Sequence, residues 1–324
     1  MGFNQEINLM KRKAIIFGIK GIKLTKSEKY LLRTKKPWGV ILFSRNIQDI
    51  FQLRYLIKDI KHCIKDKNYP ILIDQEGGKV SRLNKIIDLS LFSQSYFAKL
   101  YKSDRIFFSN YYKIYVETVC QIIKYVGINI NTVPVLDVRR KKSHRIIGSR
   151  SFSTNPNIVS KLGSFCINLY NQNKIATVIK HIPGHGLSVL DSHYKTPVIH
   201  AKKKELIKKD FKPFKICNSH FAMTAHVIFE AYDSNYTATH SKIVIDKVIR
   251  RHIGFKGILI SDDISMKALK YGVEENAIKA LMAGCNLILH CNGNISEMNK
   301  LAKIVPTIDK FTQKKTSDFY KFLG

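Results

Sequence analysis

Short apolar runs rich in Ile, Val and Leu recur along the chain, and longer, more polar stretches separate them. Runs of this kind are typical of short strands that are buried on both faces. The pattern predicts strands over Ala14–Gly18, Gly39–Phe43, Pro70–Ile73, Ile128–Leu136, Ala176–Ile179, Ala222–Ala225, Gly257–Ile260 and Leu287–Leu289.

The stretches between these runs carry apolar residues at helical spacing. They predict helices over Asp49–Ile64, Phe108–Val126, Asn157–Asn173, Lys203–Cys217, Ser241–His252 and Glu274–Ala283. Strands that alternate with helices imply parallel βαβ units, and 324 residues suit one (β/α)8 barrel. No repeat or linker divides the chain, so the predicted α/β fold is one TIM-like barrel domain over residues 1–324.

Polar and titratable residues follow most of the predicted strands. In a (β/α)8 barrel the carboxyl ends of the strands share one mouth, and this mouth holds the active site. We therefore expect the residues at these positions to line one pocket. They are Ser44-Arg45-Asn46, Asp74-Gln75-Glu76, Asp137, Lys180-His181, His226, Ser261-Asp262-Asp263 and His290-Cys291-Asn292.

The chain is strongly basic, with 55 Lys and Arg against 24 Asp and Glu and a formal charge of +31. A basic surface attracts nucleic acids and anionic membranes through their phosphates. Here the basic residues are spread from Lys11 to Lys321, without the interleaved aromatic residues of a stacking surface. A solvated basic surface is the simpler interpretation, and we expect neither a nucleic-acid partner nor a membrane partner.

The six cysteines form no CxxC pair and show no regular disulfide spacing, so we expect reduced thiols. Near the N-terminus, the apolar run AIIFGIKG is too short for a signal peptide or a membrane span, and a charged residue, Lys20, interrupts it. We therefore expect a cytoplasmic protein.

The segment KHIPGHGLSVLDSH contains three histidines, at positions 181, 185 and 193. A metal site built from them would need ligands four residues apart on a helix, and Pro183-Gly184 would break that helix. We expect no metal. In an extended Asp191-Ser192-His193, the carboxylate of Asp191 can hold one ring nitrogen of His193 and aim the other at a ligand. His193 is thus a candidate general acid/base, although a loop-stabilising hydrogen bond without catalytic consequence would give the same pattern.

Two further segments supply carboxylates. Asp262-Asp263 directly follows the run GILIS. Because side chains alternate along a strand, we expect only one of the two to point directly into the mouth of the barrel. That carboxylate suits a nucleophile, a general base or a metal ligand. In DQEGGKVSRL, Asp74 is a candidate acceptor for vicinal hydroxyls, with Arg82 as its partner or as a second ligand donor.

No serine or cysteine nucleophile elbow is present, which argues against an esterase or a thiol protease. Sugar chemistry fits the residues better, because acetal cleavage needs one proton donor and one carboxylate.

Taken together, the motifs resemble glycoside hydrolase family 3, in its single-domain bacterial branch of β-N-acetylhexosaminidases. The resemblance covers about residues 14–293 in the family's order. It is carried by Leu42–Asn46, Asp74–Gly78, Lys180–Gly186, Asp191–His193, Met223–Val227 and Ser261–Met266.

The resemblance implies a retaining mechanism without a cofactor. Asp262 would attack the anomeric carbon, and water would hydrolyse the resulting glycosyl-enzyme. His193, supported by Asp191, would be the acid/base, and Asp263 would lie behind the site. The residues implied to bind the terminal N-acetylglucosamine are Asp74, Arg82, Arg150, Lys180 and His181.

The implied function is the release of β-linked N-acetylglucosamine from peptidoglycan-derived anhydro-muropeptides during cell-wall recycling, by a monomer. Four alternatives stay open. They are a family 3 β-glycosidase of broader specificity, a mechanism with the substrate's acetamido oxygen as nucleophile, a barrel that binds sugar without cleaving it, and a basic nucleic-acid-binding protein.

Overall fold

A computed structural model describes residues 11–140, 147–188 and 195–324. Its strands are β1 (Lys13–Gly18), β2 (Pro37–Leu42), β3 (Ile71–Ile73), β4 (Ile130–Asn131), β5 (Ala176–Ile182), β6 (Val198–Ile199), β7 (Phe221–Thr224), β8 (Ile228–Phe229), β9 (Ile258–Asp263) and β10 (Leu287–His290). All except β6 and β8 form a closed parallel barrel in the order β1-β10-β9-β7-β5-β4-β3-β2. The predicted TIM-like (β/α)8 barrel is confirmed.

Each predicted strand coincides with a barrel strand, although one of them is much shorter than expected. The run Ile128–Leu136 forms a strand only over Ile130–Asn131. Pro134 lies within the predicted run and has no N–H to donate to a neighbouring strand, which limits regular pairing there.

Helices surround the barrel. They are α1 (Lys26–Lys35), α2 (Ile50–Ile64), α3 (Gln94–Ser103), α4 (Arg105–Val126), α5 (Pro156–Gln172), α6 (Lys203–Lys208), α7 (Lys212–Ile216), a π-helix (Val244–His252), α8 (Val273–Ala283), α9 (Ile295–Ile304) and α10 (Lys310–Leu323). The prediction of one helix over Lys203–Cys217 is wrong, because α6 and α7 are separate. Pro213, at the start of α7, cannot donate a hydrogen bond to the carbonyl of Lys209, so a helix begun at Lys203 does not continue through it.

The C-terminal helix α10 closes the N-terminal end of the barrel. Trp38, near the start of β2, donates from its indole Nε1 to the hydroxyl of Thr316 at 2.9 Å. Arg12, which precedes β1 and is 1% exposed, donates to the hydroxyl of Tyr320 at 2.7 Å and pairs with Asp66. The tail therefore packs on the barrel as part of the fold.

All six cysteines lie in the described ranges and are free thiols, as expected. None of the helices in residues 11–140, 147–188 and 195–324 combines the length and the apolar composition that a membrane span requires.

Candidate active site

A partly enclosed cavity of about 190 Å³ lies at the carboxyl ends of the barrel strands. Most of the predicted site residues line it, namely Asp74, Arg82, Arg150, Lys180, His181 and Asp262. The two others, Asp191 and His193, fall within 189–194, outside the described residues. The cavity is also lined by Ile41, Phe43, Val80, Thr132, Ile147, His185, Met223, Asp263, Met266, Leu289 and Cys291.

Barrel closure brings these side chains together from distant parts of the sequence. Asp74 is the first residue after β3, Lys180 and His181 belong to β5, and Asp262 lies near the end of β9. Parallel strands all end at the same rim of the barrel, so residues at these positions face one mouth. The expectation of one shared pocket is confirmed in part. From the predicted set, Asp74, Lys180, His181, Asp262, Asp263 and Cys291 line the cavity, and the other members do not.

A chain of ion pairs forms one wall of the site. Lys180 Nζ contacts Asp74 Oδ1 and lies 2.6 Å from Glu76 Oε1. Arg150 holds Glu76 through Nη2 to Oε1 at 2.7 Å and Nε to Oε2 at 2.8 Å. The hydroxyl of Thr132 donates to Asp74 Oδ1 at 2.6 Å. Charge-assisted contacts in this number fix the orientation of the cationic groups before any ligand arrives.

Both carboxyl groups in this wall stay ionised at neutral pH. Burial favours their protonated forms, but it is outweighed by the positive charges beside them. Lys180 and Arg82 hold the pKa of Asp74 well below its usual range. Arg150 and Lys180 lower the pKa of Glu76 in the same way.

Arg82 and Phe43 form the adjoining wall. Arg82 Nη2 donates to Asp74 Oδ2 at 2.8 Å, which confirms Arg82 as the partner of Asp74. The ring of Phe43 contacts two guanidinium groups, with its centroid 4.7 Å from Arg45 and 5.3 Å from Arg82. Cation–π contacts and the ion pair together hold Arg82 at the cavity edge.

His181 is oriented from behind by a buried carboxylate. Its Nδ1 lies 2.7 Å from Asp137 Oδ2, and Asp137 Oδ1 accepts the backbone N–H groups of His181 at 3.2 Å and His185 at 2.7 Å. Burial would raise the pKa of Asp137, but His181 and these hydrogen bonds lower it. An ionised Asp137 keeps the proton of His181 on Nδ1, so Nε2 is the nitrogen available for other contacts.

The three-histidine metal site would include His193, so the described residues do not test it. His181 uses Nδ1 for Asp137. Among residues 11–140, 147–188 and 195–324, no three His, Cys, Asp or Glu side chains are grouped as metal ligands. His193 lies outside these ranges.

Asp262 and Asp263 both line the cavity, although we expected only one of the two side chains to point directly into it. The reason is an irregularity in β9. Leu287 of β10 pairs with Ile260 but Leu289 pairs with Asp263, so β9 advances one residue more than its neighbour. An extra residue of this kind is a β-bulge, and it breaks the strict alternation of side chains.

The two aspartates differ in their hydrogen bonds. The carboxylate of Asp263 accepts from the hydroxyl of Ser265 at 2.8 Å, and from the backbone N–H groups of Ser265 at 3.1 Å and Cys291 at 3.2 Å. Asp262 Oδ1 accepts the backbone N–H of Asp263 at 2.8 Å, whereas within the described ranges Asp262 Oδ2 accepts no hydrogen bond. Asp263 is therefore committed to the surrounding loop, and Asp262 presents an unengaged oxygen at the cavity.

Asp262 is ionised at neutral pH. Burial raises its pKa, but attraction to the protonated form of His226, and next to His181, outweighs burial and lowers it. An anionic oxygen with no competing hydrogen bond is suited to attack an electrophilic carbon.

Sequence reasoning left three supporting residues without a role, namely Glu76, Asp137 and His226. All three stand after predicted strands, so the strand-end pattern contained them. Glu76 is also two residues from Asp74, a spacing that brings side chains to one side of an extended segment. Which partners they take is decided by contacts across the barrel, and a single strand does not reveal those contacts.

Comparison with known proteins agrees with this geometry. The description "Glycosyl hydrolase family 3 N terminal domain" matches residues 7–318. A β-hexosaminidase of Haemophilus influenzae is 32% identical over 287 residues, covering 86% of this chain and 79% of the relative. A β-hexosaminidase of Photobacterium profundum is 31% identical over 320 residues, covering 95% and 92%.

A solved structure extends the likeness to three dimensions. NagZ from Neisseria gonorrhoeae, crystallised in complex with N-trifluoroacetyl-D-glucosamine, superposes with a TM-score of 0.85 at 28% identity. The superposition covers 96% of this chain and 90% of the gonococcal chain. By the match over most of its length, this chain belongs to glycosyl hydrolase family 3.

Proposed function

We propose that this chain is a retaining exo-β-N-acetylhexosaminidase. Its substrates are anhydro-muropeptides derived from peptidoglycan, and it releases their terminal β-linked N-acetylglucosamine as a cytoplasmic monomer during cell-wall recycling. The names of the relatives support the activity, since they are β-hexosaminidases, and a structural neighbour binds an N-acylated glucosamine derivative.

The state of Asp262 is the observation that carries the proposal. Its carboxylate faces the cavity, is ionised, and has one oxygen without a hydrogen bond among the described residues. In the first step this oxygen bonds to the anomeric carbon while the glycosidic bond breaks, and in the second step water displaces Asp262 from the sugar. Retention of configuration follows from the two displacements.

The charged residues that line the cavity with Asp262 supply the contacts for the sugar. Asp74, Arg82, Arg150, Lys180 and His181 all line the cavity. Arg82 and Lys180 are held by Asp74, Arg150 by Glu76 and His181 by Asp137. Carboxylates accept hydrogen bonds from sugar hydroxyls, and guanidinium and ammonium groups donate them to hydroxyl and acetamido oxygens. A rigid, charged set of this kind selects a polar sugar over an apolar ligand.

Proton transfer in this proposal belongs to His193. A histidine with an ordinary pKa near 6.5 can protonate the leaving oxygen in the first step and deprotonate water in the second at neutral pH. Asp191, two residues earlier, would hold the imidazole. Because the acid/base is not a carboxylate, the separation rule for paired carboxylates does not apply to this site.

The positive charge of the chain suits an anionic substrate. Muropeptides carry carboxylates, and a net charge of +31 attracts them over the Debye length, about 10 Å at 0.1 M salt. The charge would raise the association rate without adding a contact in the site.

Activity on two neutral aryl glycosides tests the proposal. The wild-type chain is expected to hydrolyse an aryl N-acetyl-β-glucosaminide at least about 100-fold more efficiently than the matching aryl β-glucoside, because the acetamido group is lost from the latter. Asp262→Ala should abolish turnover of both substrates. Equal kcat/KM for the two sugars would instead identify a β-glycosidase of broader specificity.

A further inference from the structure

His226 contacts Asp263, the residue after the proposed nucleophile, and takes no part in the bond changes described above. It follows β7 and is fully buried. Its Nε2 lies 2.9 Å from the backbone oxygen of Asp263, and its Nδ1 lies 2.7 Å from the hydroxyl of Thr239. That hydroxyl is 2.8 Å from the hydroxyl of Thr224, the last residue of β7.

The donor and the acceptor of each hydrogen bond in this series can be assigned from the chemistry of the groups. A backbone carbonyl only accepts, so Nε2 of His226 carries a proton and donates to Asp263. Burial, acting first, keeps the pKa of His226 below its ordinary value, so the ring is neutral and Nδ1 is an acceptor. The hydroxyl proton of Thr239 has two acceptors within reach, Nδ1 of His226 at 2.7 Å and the backbone oxygen of Ala225 at 3.3 Å. The shorter contact assigns this proton to His226, and the Thr239 oxygen then accepts from Thr224.

This series of hydrogen bonds reaches the proposed nucleophile, Asp262, through Asp263. Asp263 accepts from His226 at its carbonyl, and its own N–H donates to Asp262 Oδ1 at 2.8 Å. Ser265 and Cys291 hold the Asp263 carboxylate. Residue 263 is thus fixed at its N–H, its carbonyl and its side chain, and the direction of the Asp262 carboxylate depends on it.

We propose that Thr224, Thr239 and His226 form a positioning relay that holds the backbone of Asp263 and thereby aims the Asp262 carboxylate into the cavity. The inference rests on the proposed role of Asp262 as nucleophile. None of the relay residues lines the cavity. Because the relay acts on the attacking oxygen and not on the sugar-binding wall, it affects the bond-forming step more than substrate affinity.

Removal of one hydroxyl tests the relay with little change in shape. Thr239→Val deletes the donor to His226, and Thr239→Ser restores it. The readout is the rate at which a 5-fluoro N-acetylglucosaminyl fluoride labels Asp262, together with kcat and KM for an aryl N-acetylglucosaminide. Thr239→Val is expected to slow labelling and kcat about tenfold, with KM within about twofold of wild type, and Thr239→Ser should recover most of the loss.

Thr237 offers a matched control two residues away. It is also buried, but its hydroxyl has no hydrogen-bond partner among the described residues. Thr237→Val is therefore expected to label Asp262 at the wild-type rate. If Thr237→Val and Thr239→Val slow labelling by the same factor, the effect is one of general packing and the relay is refuted.

The remaining outcomes separate the two proposals. A wild-type chain that hydrolyses the substrate but is never labelled at Asp262 would overturn the nucleophile assignment, and the relay with it. A wild type labelled at Asp262 and a Thr239→Val variant labelled equally fast would overturn the relay alone. If Thr239→Val does not fold, His226→Gln, which keeps an N–H donor, should be labelled faster than His226→Leu; equal rates would refute the relay.

Discussion

Arg150 holds Glu76 through two parallel hydrogen bonds, from Nη2 to Oε1 at 2.7 Å and from Nε to Oε2 at 2.8 Å. Lys180 Nζ lies 2.6 Å from the same carboxylate. Glu76 is 4% exposed and lies outside the cavity lining, whereas Arg150 and Lys180 both line the cavity. One buried carboxylate therefore sets the positions of two cations that are proposed to bind the sugar.

Neutralising this carboxylate should weaken both binding and stability. In Glu76→Gln, Arg150 and Lys180 lose an ionised partner while they remain largely buried. The expected result is a free energy of unfolding about 3 kcal/mol lower, because a buried cation without its partner is costly. KM for an aryl N-acetylglucosaminide should rise by about tenfold, since charge-assisted contacts orient both cations.

Urea unfolding and steady-state kinetics measure these effects. Glu117→Gln is a matched control, because Glu117 is on the surface and its pair with Lys113 is long, at 3.9 Å. The control should change stability by less than about 0.5 kcal/mol. Unchanged KM and stability in Glu76→Gln would contradict the role given to Glu76.

The pH dependence of stability should report the buried His240. Burial, and next the nearby His226, lower the pKa of His240 from 6.5 to about 4. Between these values the unfolded chain binds a proton that folded His240 does not, so stability falls as pH drops from 6.5 toward 4. The contribution of this one group over that window is about 3 kcal/mol.

A comparison of two proteins isolates this contribution. His240→Gln removes the titrating group and keeps an N–H that can donate to the backbone oxygen of Asn276, as His240 Nε2 does at 3.1 Å. The unfolding free energy of the variant should fall less steeply than that of the wild type between pH 6.5 and 4. Parallel curves in that interval would show that His240 does not titrate as described.

Replacement of His193 should affect substrates according to their leaving groups. A sugar alkoxide is a poor leaving group and needs a proton, whereas an activated phenolate leaves without one. His193→Ala is therefore expected to reduce kcat/KM for a disaccharide at least about tenfold more than for a nitrophenyl glycoside. Equal losses with both substrates would remove the acid role from His193.

The barrel was predictable because a short, mostly apolar run coincides with each barrel strand, and polar or titratable residues follow most of these runs. The rule that such ends share one mouth was enough to bring Asp74, Lys180 and Asp262 into one site. The prediction fails for local details that depend on contacts with neighbouring strands. The bulge at which both Asp262 and Asp263 line the cavity arises from pairing between β9 and β10, and the sequence of β9 alone does not predict it.

Helix boundaries and supporting residues show the same limit. The helical periodicity of Lys203–Cys217 continues through Pro213, so the pattern alone predicts one helix where the structure has two. Glu76 and His226 each follow a predicted strand, and nothing in the local sequence indicates which partners they take. Glu76 takes its role from its contact with Arg150, and His226 from its contact with Thr239. Each partner lies in a different segment of the sequence, and only folding brings it into contact.

The most direct test of the account is the identity of the residue that a mechanism-based sugar labels. A 5-fluoro N-acetylglucosaminyl fluoride should form a stable glycosyl-enzyme, and mass spectrometry of the digested protein should find the sugar on Asp262. Asp262→Ala should neither acquire the label nor turn over an aryl N-acetylglucosaminide. Recovery of the label on a different residue, or near-normal activity of Asp262→Ala, would contradict the assignment of Asp262 as the nucleophile.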